Sequence, residues 1–285
     1  MSLTLRCGTM SYDLAARTHL MGVLNVTPDS FSDGGRFLDP DNAFRRAIEM
    51  EEGGADFIDI GGESTKPGSA PVTVEDELRR VLPVIERCSG RLTVPISIDT
   101  TKSEVARAAI DAGATLINDV SAGVFDPAIV SLAGRSDVPM ILMHMQGTPA
   151  TMQNQPIYGD VTREVAAFLD ERAKNAQGLG VKQVIIDPGI GFGKSLEHNI
   201  RLIRELHILT TSGHPVLVGV SRKSFIGSIL NLPVGDRMEG TAAAVAACIF
   251  AGAHIVRVHD VREMKRVAVM CDALKPLHVR ADLTL

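Results

Sequence analysis

A chain of 285 residues, 45% of them apolar, is long enough to bury one large core, and a net charge of −5 with no basic block argues against a nucleic-acid partner. No apolar run approaches the roughly 20 residues of a membrane span and the first 18 residues hold no apolar signal core, so the chain reads as soluble and cytoplasmic. Cys7, Cys88, Cys248 and Cys271 have neither metal-like nor redox-like spacing and read as buried free thiols. No stretch is rich enough in Pro, Gly or Ser to be a linker, so 1–285 reads as one domain.

Residues 1–18 predict a short hairpin or strap. A first strand follows at 19–25 and a helix begins near Pro40, with Asp39 as N-cap and Gly53-Gly54 as its stop. A strand at 57–61 precedes a helix that opens with a capping box from Thr73 to Asp76 or Glu77. Strands at 95–99, 115–120, 139–144, 183–187, 215–221 and 254–259 alternate with further helical stretches. Eight strand–helix repeats are the sequence form of a (β/α)8 TIM barrel, here about 19–276, with a short N-terminal extension across its bottom.

Nearly every strand ends on a polar side chain: Asn25, Asp59 with Glu63, Asp99, Asn118 with Asp119, His144, Asp187, Ser221 with Lys223, and Arg257 with His259 and Asp260. A core strand gains nothing from a buried carboxylate, so polar endings converging on one rim describe a site. Two long loops, 26–39 and 62–72, follow the first two strands on that rim and read as lids or clamps.

Alternation places Arg257 and His259 on the inward face, with Val256 and Val258 toward the helices. The pair suits an anion, although a structural Arg–Asp pair, with Asp260 as one partner, also fits. Asp99 and Asp187 could act as acid and base, bind a metal, or hold a ring edge offering two N–H donors. Asn118, both donor and acceptor, favours the ring edge. Lys223 reads as a donor to ligand, and His144 reads equally as a core histidine. DPGIGFGK at 187–194 lacks the P-loop pattern, and its glycines let the chain turn sharply and hold Phe192 at the mouth.

LMGVLNVTPDSFSDGG at 20–35 and DFIDIGGESTKPG at 56–68 resemble the two signature segments of dihydropteroate synthases. Segments at 98–100, 117–120, 142–149, 187–194, 219–227 and 255–261 are similar to that family in the same order. The resemblance implies a barrel transferase of folate synthesis that joins 6-hydroxymethyl-7,8-dihydropterin diphosphate to 4-aminobenzoate. Carried over, it implies that Asp99, Asn118, Asp187 and Lys223 bind the pterin, in a slot lined by Val120, Met143, Phe192 and Gly219. Asn25, Arg257 and His259 would hold the diphosphate, and Asn25 would also contact Mg2+. Thr65 and the loop with Lys66 and Pro67 would close over the substrates. Phe31, Asp33, Pro67 and Ser221 would border the aminobenzoate, with Asp99, Lys223 and Asp33 as the catalytic set. Lys66 stands where the family commonly has Arg, keeping the charge but losing the bidentate fork.

The implied chemistry breaks a C–O bond to diphosphate, and Asp99 would stabilise the pterin cation left behind. Two rivals stand beside it. A corrinoid-dependent methyltransferase would not need the Asn25, Arg257 and His259 clamp. A catalytically inactive pterin-binding paralogue would be expected to lose clamp or loop residues. The apolar helices at 241–253 and 261–275 are explained by burial or by an interface, and the resemblance implies a homodimer through them.

Overall fold

The computed structural model describes residues 3–27, 40–66 and 68–275. The first two strands, β1 (Thr4–Cys7) and β2 (Met10–Asp13), form the expected antiparallel hairpin, turning at Gly8. Eight parallel strands follow: β3 (His19–Asn25), β4 (Phe57–Gly61), β5 (Ile96–Asp99), β6 (Leu116–Asp119), β7 (Met140–Met143), β8 (Val184–Asp187), β9 (Leu217–Val218) and β10 (Ile255–Val258). Their order is β8-β7-β6-β5-β4-β3-β10-β9, and a parallel bridge between Ile186 and Val216 joins the two ends. This is the (β/α)8 barrel.

The helices are α1 (Pro40–Glu52), α2 (Val74–Ser89), α3 (Ser103–Asp111), α4 (Ala128–Ser136), α5 (Val161–Gly178), α6 (Leu196–Arg204), α7 (His207–Thr210), α8 (Ser224–Leu230), α9 (Met238–Phe250) and α10 (Val261–Leu274). Helix α2 starts where Thr73 Oγ1 accepts the Asp76 N–H at 3.1 Å, which is half of the expected capping box. The Asp76 carboxylate takes the Thr73 hydroxyl instead of the Thr73 N–H. A full box forms on α6, where Ser195 and His198 cap each other. Its Glu/Gln position is filled by a histidine, so the usual pattern does not reveal it. The proposed α1 cap, Asp39, lies outside the described residues.

Two apolar layers hold the barrel. Outward residues such as Ile58, Ile98, Val256 and Val258 pack against the helices. Inward residues at the strand starts, including Phe57, Leu116, Ile141, Ile185 and Ile255, fill the lower barrel together with Leu5, Cys7 and Leu14 of the N-terminal segment. Burying one such side chain stabilises by about 1.5–3 kcal/mol. The hairpin is therefore a floor, as its apolar alternation implies. The floor is tied to α10 by Asp272, whose carboxylate accepts the Thr18 N–H and hydroxyl, each at 2.8 Å.

Most strands end within one or two residues of their expected bounds, and one is much shorter than expected. β9 pairs only over Leu217–Val218, because the chain leaves the ladder at Gly219 to build the rim corner that carries Ser221 and Lys223. All four cysteines are buried and free, and burial pushes the Cys7 and Cys248 thiols up to about 12.

Candidate active site

One half of the rim is a closed charge network. Alternation along β4 turns Asp59 inward above Phe57, and along β10 turns Arg257 inward above Ile255. Arg257 Nε donates to Asp59 Oδ2 at 2.6 Å and Nη2 donates to Asp99 Oδ2 at 2.8 Å. Asn118, paired with Asp99 across the β5–β6 ladder, donates through Nδ2 to the same Asp59 oxygen at 3.0 Å. Burial pushes the Asp99 carboxyl upward, and the Arg257 guanidinium opposes it.

The other half is a cradle of backbone around isolated charges. Asp187 closes β8, and its Oδ1 accepts the Gly189 N–H at 2.8 Å. Burial pushes this carboxyl up to about 6. The loop 188–194 turns on glycines that nothing larger can replace. A Cβ on Gly189 (φ +66°) would stand 1.9 Å from the His144 carbonyl, and one on Gly193 (φ +61°) 2.5 Å from that of Gln146. Lys194 bolts the loop down from beneath. It is 2% exposed, its Nζ lies 2.9 Å from His144 Nδ1, and it donates to the Phe192 carbonyl at 2.9 Å. Phe192 is thereby presented at the mouth beside Val120, Met143 and Met152.

Lys223 stands over Phe192 with Nζ 4.0 Å from the ring centroid, and burial pushes its ammonium down to about 8. The corner that aims it is strained at Arg222 (φ +58°), which costs on the order of 1 kcal/mol or more. Three contacts hold that corner. Arg222 pairs with Asp260, its N–H reaches Thr241 Oγ1 at 3.1 Å, and its carbonyl accepts from Arg237 at 3.1 Å. Next to it, Ser221 Oγ accepts the His259 backbone N–H at 3.3 Å and lies 3.0 Å from His259 Nδ1. Burial drives the His259 pKa down to about 3, so the ring is neutral. Either Ser221 Oγ or His259 Nδ1 can be the donor of the 3.0 Å contact.

Above the network, the loop 62–72 closes on itself through Glu63, which accepts the Val72 N–H at 3.2 Å. Lys102 bridges Glu63 to the fully buried Glu77, 2.5 Å from its Oε2. At the loop's far side the Gly68 N–H reaches the Pro149 carbonyl at 3.1 Å. A cleft of about 300 Å³ opens beneath, lined by Thr65, Ser69, Asp99, Lys102, Val120 and Phe125 among others.

Residues 21–259 match the family of pterin binding enzymes. A dihydropteroate synthase from Synechocystis is 48% identical across 94% of this chain and 93% of its own length. The chain belongs to the dihydropteroate synthase family. Solved dihydropteroate synthases superpose closely. One from Xanthomonas albilineans, with 4-aminobenzoic acid, has a TM-score of 0.90 at 42% identity over 97% of this chain and all of that one. A second structure from that organism, in complex with 7,8-dihydropteroate, has a TM-score of 0.87 at 40% identity, covering 96% of this chain and 99% of that one.

In this dihydropteroate synthase-family barrel, the residues expected to bind the pterin do converge. Asp99 and Asn118 stand near the ends of the neighbouring β5 and β6, Asp187 ends β8 and Lys223 caps α8 after β9, with Val120, Met143 and Phe192 in one apolar cluster. Gly219 lies alongside Arg257. Asn25 ends β3, half-buried and paired with Gly61, and Lys66 is exposed on its loop. Phe31, Asp33 and Pro67 lie outside the described residues.

Two sequence expectations change. Asp260 belongs to Arg222, and the carboxylates of Arg257 are Asp59 and Asp99, because Asp260 lies past the strand end, beside the rim corner. Asp119, read as one of the polar strand endings of the site, instead builds a turn. It is fully buried and accepts from the Ser121 and Gly123 backbones at 2.8 and 2.6 Å. Two groups have no counterpart in the sequence reading, Lys194 as the bolt and Lys102 as the loop anchor, and Asp59, read only as a polar strand ending, is the hub. For Asp59 the signal was parity, since it shares a face with Phe57 and Gly61. For the two lysines no sequence pattern carries it.

Proposed function

We infer that this chain is a dihydropteroate synthase, joining 6-hydroxymethyl-7,8-dihydropterin diphosphate to 4-aminobenzoate with release of diphosphate. The observation that carries the reading is the set of unlike groups around one slot. Asp187 offers two acceptor oxygens, which suit the only dihydropterin edge with two donors, the 2-amino group and N3–H. Lys223 supplies a donor for the O4/N5 edge, and the apolar cluster of Val120, Met143 and Phe192 suits a flat ring. Asn118 offers both hydrogen-bond roles.

The reaction breaks the bond from the pterin methylene to the diphosphate oxygen, which leaves with the electron pair. The bond that forms joins the same carbon to the amine nitrogen, and the amine gives up one proton. Asp99 lies under the slot, where its charge stabilises cationic character at the ring and methylene. Arg257 keeps Nη1 without a protein partner among the described residues, and the His259 ring meets Ser221 through Nδ1, leaving its Nε2 edge for ligand. Both suit the departing diphosphate. Loop 62–72 and Thr65 exclude water, which competes with the amine.

Magnesium fits this donor set. Asn25 presents a hard amide oxygen at the rim, and Mg2+ is commonly held by one or two side chains with phosphate oxygens and waters completing the shell. When bound it would offset charge on the diphosphate.

A homodimer through α9 and α10 is supported by the exposed Phe250, Val269, Met270 and Leu274. A cytoplasmic location is supported by four buried free thiols, and no helix among the described residues is long and apolar enough to cross a membrane.

The test is diphosphate release from the pterin substrate with Mg2+, with and without 4-aminobenzoate. Amine-dependent release with dihydropteroate formed is expected. Pterin binding without release would make the chain a catalytically inactive pterin-binding paralogue.

A further inference from the structure

Asp59 is the one carboxylate of the network that is fully buried, at 0% exposure, and it sits a layer below the slot, level with Ser97 rather than with Asp99. Its Oδ2 takes both Arg257 Nε and Asn118 Nδ2, while its Oδ1 is buried without a partner. A carboxylate paired with a guanidinium only accepts, so Asn118 must turn its nitrogen downward. One of the two amide hydrogens is then taken. What Asn118 offers the slot is one N–H and, on the opposite side of the amide, Oδ1.

We propose that Asp59 is a positioning residue that makes the slot select a reduced pterin ring over an oxidised one, by holding the Asn118 amide and occupying one of its hydrogens. The proposal rests on the reading that the slot takes a dihydropterin. A 7,8-dihydropterin presents the N1 acceptor beside the N8–H donor. An oxidised pterin presents two acceptors there, N1 and N8. The other edges, 2-amino/N3–H and O4/N5, keep the same hydrogen-bonding roles in both states. The held amide complements the reduced ring and sets Oδ1 against a lone pair of the oxidised one. Without Asp59 both amide hydrogens are free, and one NH2 group can serve both lone pairs.

The experiment measures Kd, without oxygen, for 6-hydroxymethyl-7,8-dihydropterin and for 6-hydroxymethylpterin in the wild type and in Asp59→Ala. The wild type should favour the reduced ring by about tenfold or more, as expected for one mismatched buried polar contact. In Asp59→Ala the two constants should fall within about threefold of each other. Loss of the Arg257 contact shifts both constants together, so the ratio isolates the amide. An unchanged ratio in a folded variant, or equal binding of both rings by the wild type, overturns the proposal. If the wild type binds neither ring, it is the dihydropterin reading that fails.

Should Asp59→Ala not fold, the wild type still decides. The Asn118 side-chain amide, assigned by its loss in Asn118→Ala, should show one proton protected from solvent exchange before ligand is added. Two freely exchanging protons overturn the proposal.

Discussion

The two halves of the rim solve the same electrostatic problem in opposite ways. On the side of β4, β5, β6 and β10, Arg257 pairs with Asp59 and Asp99, Asn118 donates to Asp59, and Lys102 pairs with Glu63 and Glu77. On the side of β8 and β9, Asp187 and Lys223 make no ion pair among the described residues. Asp187 is held by a backbone N–H and Lys223 by an aromatic face. A charge that is already paired has part of its desolvation cost offset and is poised before substrate arrives. A charge left to a backbone cradle keeps its capacity for ligand and carries the desolvation penalty until ligand comes. The barrel thus divides its site into a part that is finished and a part that substrate completes.

The sharpest way to break this contrast is to open the finished half. Lys102→Met strands Glu77, whose side chain is 0% exposed, and should cost about 3–5 kcal/mol of unfolding free energy in urea melts. A cost below about 1 kcal/mol would mean that the pairing is incidental. Next comes Asp99→Asn. If Asp99 acts on charge that develops in the transition state, turnover should fall by about 10²–10³ while affinity for the pterin substrate holds within a few fold. Equal losses in both would return Asp99 to a binding role. The smallest effect belongs to the open half and is read by pH. Asp187 must be ionised to accept and Lys223 protonated to donate. With burial raising the first to about 6 and lowering the second to about 8, kcat/KM should fall below pH 6 and above pH 8. Asp187→Asn should flatten the acid limb and move the alkaline one to lower pH, because the Asp187 charge holds the Lys223 ammonium up. An acid limb that survives the substitution assigns it elsewhere.

These halves were unequally legible in the sequence. All eight barrel strands announce themselves as short apolar runs, and the Gly-rich loop after Asp187 shows its turns in its composition. The cradle is local, since Gly189 and Phe192 lie within five residues of the carboxylate they surround. The closed network is not local. Arg257 and Asp59 stand 198 residues apart and Lys102 and Glu63 stand 39 apart, and strand pairing, of β10 with β3 and of β3 with β4 for the first and of β4 with β5 for the second, brings them together. Residue type and spacing reveal that a charge is buried, whereas its partner is a property of register. The β3–β4 ladder sets Val23 against Asp59 and Asn25 against Gly61, which fixes which β4 residues face inward. No single segment contains that information.

The floor of the barrel has a practical corollary. Asp272 near the end of α10 clasps Thr18 at the start of β3, so the first and last described segments meet on the face away from the mouth. Anchoring the protein to a bead or a sensor chip through a surface position on that floor, such as Lys275, should therefore leave the mouth turned toward the surrounding solution.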